Sequence, residues 1–179
     1  MKGAATALLA MAFWMAMDLV SFQADCQRER HVLTPHGPSW EGLAIVVNKT
    51  NPTENLAFRQ LRQAFSQEKM WWSSKRRIKL VALPRGTAER QTVLQVIYRM
   101  KDSDLDRYFF LLHYEGKFPA QPTTLASPEE VKRLVSNSPG ALAYLRASDV
   151  DDSVKVLRIN GLLPGDDGYP LRVEIRTPK

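Results

Sequence analysis

Apolar positions along the chain fall into two kinds of stretch. The first kind is short and nearly continuous. Leu43 to Val47 reads LAIVV, Ile78 to Leu83 reads IKLVAL, and Ala141 to Leu145 reads ALAYL. Runs of this length without regular alternation predict strands covered on both faces. Val154, Val156, Leu157 and Ile159 predict another strand, and Leu171 to Ile175 is a terminal segment of strand-like alternation. The second kind recurs at helical spacing. Leu56, Leu61, Ala64 and Phe65 form one such stripe, and Val93, Leu94, Ile97 and Met100 a second. Leu105, Tyr108, Phe109, Leu112 and His113 form a third, and Val131, Leu134 and Val135 a fourth. Boundary residues agree with these stretches. Asn48 to Pro52 is a polar turn, after which Thr53 is placed to cap a helix. Ser127-Pro128-Glu129-Glu130 supplies an N-cap, a first-position proline and acids for a first turn. Met70, Trp71 and Trp72 lie between elements, and two adjacent tryptophans cannot both face one core from a regular strand.

The predicted order is strand, helix, strand, three helices, two strands. That alternation argues for an α/β domain with at least partly parallel pairing. The folded domain is expected over 43–179, long enough for one core of ordinary size. Residues 26–42 hold Pro35, Gly37 and Pro38 without periodicity and read as a linker. Before them, Lys2 precedes the apolar run Gly3 to Met17, which is shorter than the roughly 20 residues of a spanning helix. Residues 1–25 therefore read as a signal peptide and the protein as exported, periplasmic or otherwise. Two alternatives stay open at this end. One is lipidation at Cys26, although Asp25 stands where a small residue is usual; the other is an uncleaved interfacial anchor. Membrane contact is expected only through these.

Composition changes the picture little. The chain has 179 residues, 44% hydrophobic and 25% charged, which is ordinary for a globular protein. Its net charge of +6 is scattered except at Lys75, Arg76, Arg77 and Lys79. Such a cluster suits a solvated strand edge or an anionic partner. Basic and aromatic residues are not interleaved as nucleic-acid binding would require, so no nucleic-acid partner is expected.

One stretch combines features that bear on chemistry. The strand Ile78 to Leu83 ends at Pro84, Gly86 permits a sharp turn, and Thr87 is a good N-cap for the helix that follows. A strand feeding a helix this way aims free amides and the positive end of the helix dipole at one spot, which suits an anion. Catalytic signatures are missing: no Ser or Cys sits in an elbow motif, and Asp151-Asp152 and Asp166-Asp167 fall in predicted turns. His31, His36 and His113 share no neighbourhood in sequence. No enzyme, metal site or cofactor is expected.

Further landmarks follow in a fixed order. They are a strand ending at Asn48 with Asn51-Pro52 after it, a helix Leu56 to Phe65, and a Trp at Trp71 or Trp72. Then come Pro84-Arg85-Gly86-Thr87, Gly116-Lys117-Phe118-Pro119 and Ser138-Pro139-Gly140-Ala141-Leu142-Ala143-Tyr144. In these the chain from Leu43 to about Leu171 resembles the second lobe of phosphate-binding proteins of ABC transporters, in the type 2 periplasmic-binding-protein superfamily. It looks closest to short, single-lobe relatives. The resemblance implies one lobe with a mixed, mostly parallel sheet flanked by helices. It implies phosphate or another oxyanion as ligand at Arg85, Gly86 and Thr87, with Asn48 and Asn51 on a ligand-facing loop. Arg85 stands where the family usually has Ser, Ala143 replaces a Gly, and the other lobe is not part of the match. The expected function is therefore a solute-binding-protein-like module with weak oxyanion binding in a transport or sensing context. The alternative is a ligand-free interaction or accessory domain working with a cell-envelope protein.

Overall fold

The computed structural model describes residues 39–116 and 121–175. The expected signal peptide, Cys26, His31 and His36 lie outside them, as do Lys117, Phe118 and Pro119. The described elements fall within one compact unit, Pro38–Lys179. In chain order they are strand β1 (Ser39–Val47), strand β2 (Asn55–Leu56), helix α1 (Phe58–Phe65) and strand β3 (Lys79–Ala82). Helix α2 (Ala88–Val93) continues into a π-helical turn, Leu94–Tyr98, and is followed by α3 (Asp102–Tyr114) and β4 (Thr123–Thr124). Helix α4 (Pro128–Asn137), β5 (Ala141–Arg146), a 3-10 turn (Ala147–Asp149), β6 (Lys155–Val156), β7 (Arg158–Ile159) and β8 (Arg172–Ile175) complete the set.

The main sheet runs β4-β3-β5-β1-β6, and β8 also pairs with β1. β3 is parallel to β4 and β5, while β1 is antiparallel to β5, β6 and β8. Five of the six strands thus point one way and β1 alone runs against them. The fold is α/β, with a mixed but mostly parallel sheet flanked by helices. Leu43 to Val47 and Ala141, Leu142, Ala143 and Leu145 are wholly inaccessible, and Tyr144 nearly so. The unbroken apolar runs in the sequence mark this central pair, which is covered on both faces. Each fully buried Val, Leu or Ile contributes about 1.5–3 kcal/mol, more than any single cap or surface ion pair.

The first strand starts earlier than expected. Ser39 to Gly42 pair with Ile175 to Arg172, so β1 occupies the last four residues read as linker. Ser39 and Trp40 are exposed, and their pairing with a segment at the far end of the chain gives no local apolar signal. Helix α1 starts later than expected. Asn55 and Leu56 are held by β7 in a separate two-stranded ladder, and the N-cap is Ala57, whose amide donates to Gln60 Oε1 at 3.0 Å. Thr53 does not cap the helix; its amide closes a turn on Asn51 Oδ1. The strand read over Val154 to Ile159 is split. β6 joins β1, β7 joins β2, and Leu157 between them is inaccessible with its amide on Ile45 O at 2.8 Å. On α3 the expected stripe is buried at Leu105 and Phe109, whereas His113 is exposed.

Gly140, one of the sequence landmarks, has a packing reason. A Cβ there would stand 2.3 Å from the carbonyl oxygen of Arg77. Its own carbonyl accepts from Lys79 N at 3.0 Å and from Trp72 Nε1 at 3.1 Å. Gly140→Ala should therefore lower unfolding free energy in urea by about 1–3 kcal/mol. An unchanged midpoint would mean that the two backbones are not in contact.

Candidate functional site

Register fixes which sequence candidates meet. Val47 pairs with Leu142, and so does Leu80; Leu43 pairs with Arg146. The Pro84–Thr87 turn follows Leu83 and so lies at the Arg146 end of the sheet. Asn48 and Asn51 follow Val47 and lie at the other end, about 13 Å away along β5. Because β1 is the one reversed strand, its C-terminal end is opposite those of β3 and β5. The structure therefore does not bring Asn48 and Asn51 to the turn.

Both asparagines have structural partners where they are. Asn48 Nδ2 donates to Val135 O at 3.0 Å and Ser136 O at 2.6 Å, tying the end of α4 to the end of β1. Its Oδ1 accepts from Thr50 N and Oγ1. The Asn51 carbonyl accepts from Lys155 Nζ, and among the described residues its buried Nδ2 has no partner.

The turn itself has the predicted form. Gly86 adopts a left-handed φ of 87°, which a side chain would resist. Thr87 is the N-cap of α2: its Oγ1 accepts from Arg90 N at 3.4 Å and donates to Pro84 O at 2.9 Å. The amides of Ala88 and Glu89 have no intrahelical acceptor. Behind the turn, Tyr144 Oη accepts from Leu83 N at 3.2 Å and fixes the end of the strand.

Charges around the turn are where sequence reasoning fell short. Arg85 is exposed and pairs with Asp106 of α3. Arg90 is buried and bonds Asp102 Oδ1 through Nε at 2.8 Å and Nη2 at 2.6 Å, with Nη1 on Leu83 O at 3.3 Å. Desolvation lowers the Arg90 pKa, but Asp102 outweighs it, and the group stays firmly charged. Glu89, also buried, pairs with Arg146, which reaches Glu41 at 3.7 Å. Nearby, burial and then Glu41 raise the Asp149 carboxyl. Arg90 stands where a capping box would have Glu or Gln and bonds the start of the next helix instead. The signal that could have revealed its role is Asp102, an acid at the next helix start with a basic residue 12 positions earlier.

A cleft of about 640 Å³ opens beside the turn, bounded by Arg85, Arg90, Asp106, Phe110, Gln121 and Pro122. Phe110 is 65% exposed there. The site thus offers an exposed guanidinium, a capped helix start and a part-apolar wall, with a carboxylate on each arginine. Among the described residues no group of His, Cys, Asp and Glu is arranged to hold a metal, and no helix is long and apolar enough to cross a membrane.

Solved phosphate receptors share this fold. An ABC-type phosphate transport receptor from Vibrio cholerae superposes with a TM-score of 0.62 at 22% identity, over 76% of this chain and 55% of that one. PstS from Borrelia burgdorferi gives 0.59 at 14% identity, over 76% and 56%. The chain has the fold of a phosphate-receptor lobe. In sequence the lobe is 26% identical over 137 residues to the phosphate-binding protein PstS of Bacillus subtilis, covering 74% of this chain and 40% of that protein. The chain spans about half the length of these solved receptors. No family model matches it.

The tyrosine behind the turn gives the lobe an alkaline limit. Burial pushes the Tyr144 phenol from 10.0 up to about 12, against a small opposing effect of the Leu83 amide and Arg90. Burial likewise raises Tyr98 and Tyr169. Folding favours the neutral phenols, and the unfolded chain loses these protons first. Stability is therefore unaffected below pH 10.0 and falls as pH rises from there toward about 12. Urea midpoints should drop steeply across that window, and a flat profile would contradict the burial of these phenols.

Proposed function

We propose that this chain is an exported, solute-binding-protein-like module that holds phosphate or a similar oxyanion weakly at Arg85, Gly86 and Thr87. It acts in a transport or sensing context, by binding rather than catalysis. The observation that carries the reading is the Thr87-capped start of α2 at the C-terminal end of β3. Open α/β sheets place ligands at that edge, and a capped helix start beside an exposed arginine has the donors an anion needs. Similarity to phosphate receptors supports the ligand class, and Lys2 with the apolar run after it supports export.

Weak binding follows from the charges. Glu89 already places a negative charge in the first turn of α2, where an anion would gain most from the dipole. Asp106 engages Arg85, so an incoming anion has to compete with a carboxylate. These same pairs favour a second reading, in which the lobe is a ligand-free interaction or accessory domain serving an envelope partner.

Thermal unfolding with added phosphate or sulfate separates the two. At ten times the dissociation constant a bound anion stabilises by about 1.4 kcal/mol, a rise of roughly 4 °C in Tm. Thr87→Val should abolish the rise. Asp106→Asn, by freeing Arg85, should enlarge it. If neither anion raises Tm in the unmodified protein or in Asp106→Asn, the ligand-free reading stands instead.

A further inference from the structure

The most basic part of the molecule lies far from the turn and has no role in the reading above. Between Glu68 and Lys79 the sequence holds the cations Lys69, Lys75, Arg76, Arg77 and Lys79 against the single acid Glu68. This segment therefore supplies most of the chain's net charge of +6. Lys75, Arg76, Arg77 and Lys79 are all exposed. Among the described residues, Lys69, Lys75, Arg76 and Lys79 have no ion-pair partner.

Backbone hydrogen bonds fold the segment into a hairpin. Lys75 N donates to Trp72 O at 3.0 Å, Trp72 N to Arg76 O at 2.8 Å, and Ile78 N to Met70 O at 2.8 Å. Lys75 takes the left-handed conformation, φ 58°, that closes a loop of this kind. Trp72 is the anchor: it is 3% exposed, and its indole N–H is bonded to Gly140 O. Neighbouring side chains on extended backbone point opposite ways, so burying Trp72 turns Trp71 outward, where it is 55% exposed. An apolar ring with a polar N–H is thereby held among cations on a fixed support.

We propose that the Trp71–Lys79 hairpin docks the protein on an anionic lipid surface. Tryptophan favours the headgroup level of a bilayer, and each Lys or Arg near an anionic leaflet strengthens attachment about fivefold. A lipid surface fits better than nucleic acid, because one outward aromatic gives no row of stacking platforms. The hairpin precedes β3 and the Pro84–Thr87 turn follows it. Docking by the hairpin therefore leaves the turn and its cleft facing away from the membrane, open to solute or partner.

The test is co-sedimentation of the full chain with vesicles of phosphatidylcholine alone or mixed equally with phosphatidylglycerol. The unmodified protein should favour the anionic vesicles, and added salt should weaken the preference. A triple variant, Lys75→Gln with Arg76→Gln and Lys79→Gln, should lose on the order of 100-fold in that binding. Because any contribution of Gly3 to Met17 is common to all variants, only the difference between them counts. Brominated acyl chains should quench the emission component that Trp71→Phe removes. Equal binding of the triple variant, or no Trp71-dependent quenching, overturns the proposal. So does loss in the triple variant of binding to a single-stranded oligonucleotide while vesicle binding is unchanged.

Discussion

The antiparallel pairing of β1 with β5 is the constraint on which the rest depends. Leu43 to Val47 of β1 and Ala141 to Leu145 of β5 are apolar on both faces, so neither face can meet water and both must be covered. Every other strand of the main sheet is placed directly or through β3 by this pair. The pair also sets where the candidate sites lie. With β1 reversed against strands that otherwise run one way, residues following β1 and residues following β3 emerge at opposite edges. The anion-suited turn comes out at one edge, and the basic hairpin and the Asn48 anchor at the other.

Charge is divided between the same edges. Around the turn every arginine is answered by a carboxylate: Arg85 by Asp106, Arg90 by Asp102, Arg146 by Glu89 and Glu41. The Arg90 and Arg146 pairs are buried or partly buried and cost several kcal/mol to break singly, whereas the exposed Arg85–Asp106 pair contributes about 0–1 kcal/mol. At the hairpin the cations are exposed, so their field reaches outward. A molecule polarised in this way can attach at one edge while leaving the other free for recognition.

Much of this was legible in the chain. The runs LAIVV and ALAYL announced the central pair because complete burial removes alternation. Ser127-Pro128 and Thr87 announced their helices because caps are local chemistry. What stayed hidden depended on distant partners. Ser39 to Gly42 become strand only by meeting β8, and Asn55-Leu56 only by meeting β7, about a hundred residues on. The role of Arg90 depends on α3, which supplies Asp102. Asn48 and Asn51 are ligand-facing by resemblance, and chain direction in one strand places them at the end of the sheet opposite the Pro84–Thr87 turn. Trp71 and Trp72 were readable as a pair that must split, though not which one turned outward.

The proposed oxyanion face of the lobe is the start of α2, apart from the basic hairpin. Titrating the isotopically labelled protein with phosphate and following backbone amides by NMR tests it most directly. Saturable shifts are expected at Gly86, Thr87, Ala88 and Glu89, with the Lys75–Lys79 amides unmoved. Shifts confined to the hairpin, or none at the turn, would contradict it.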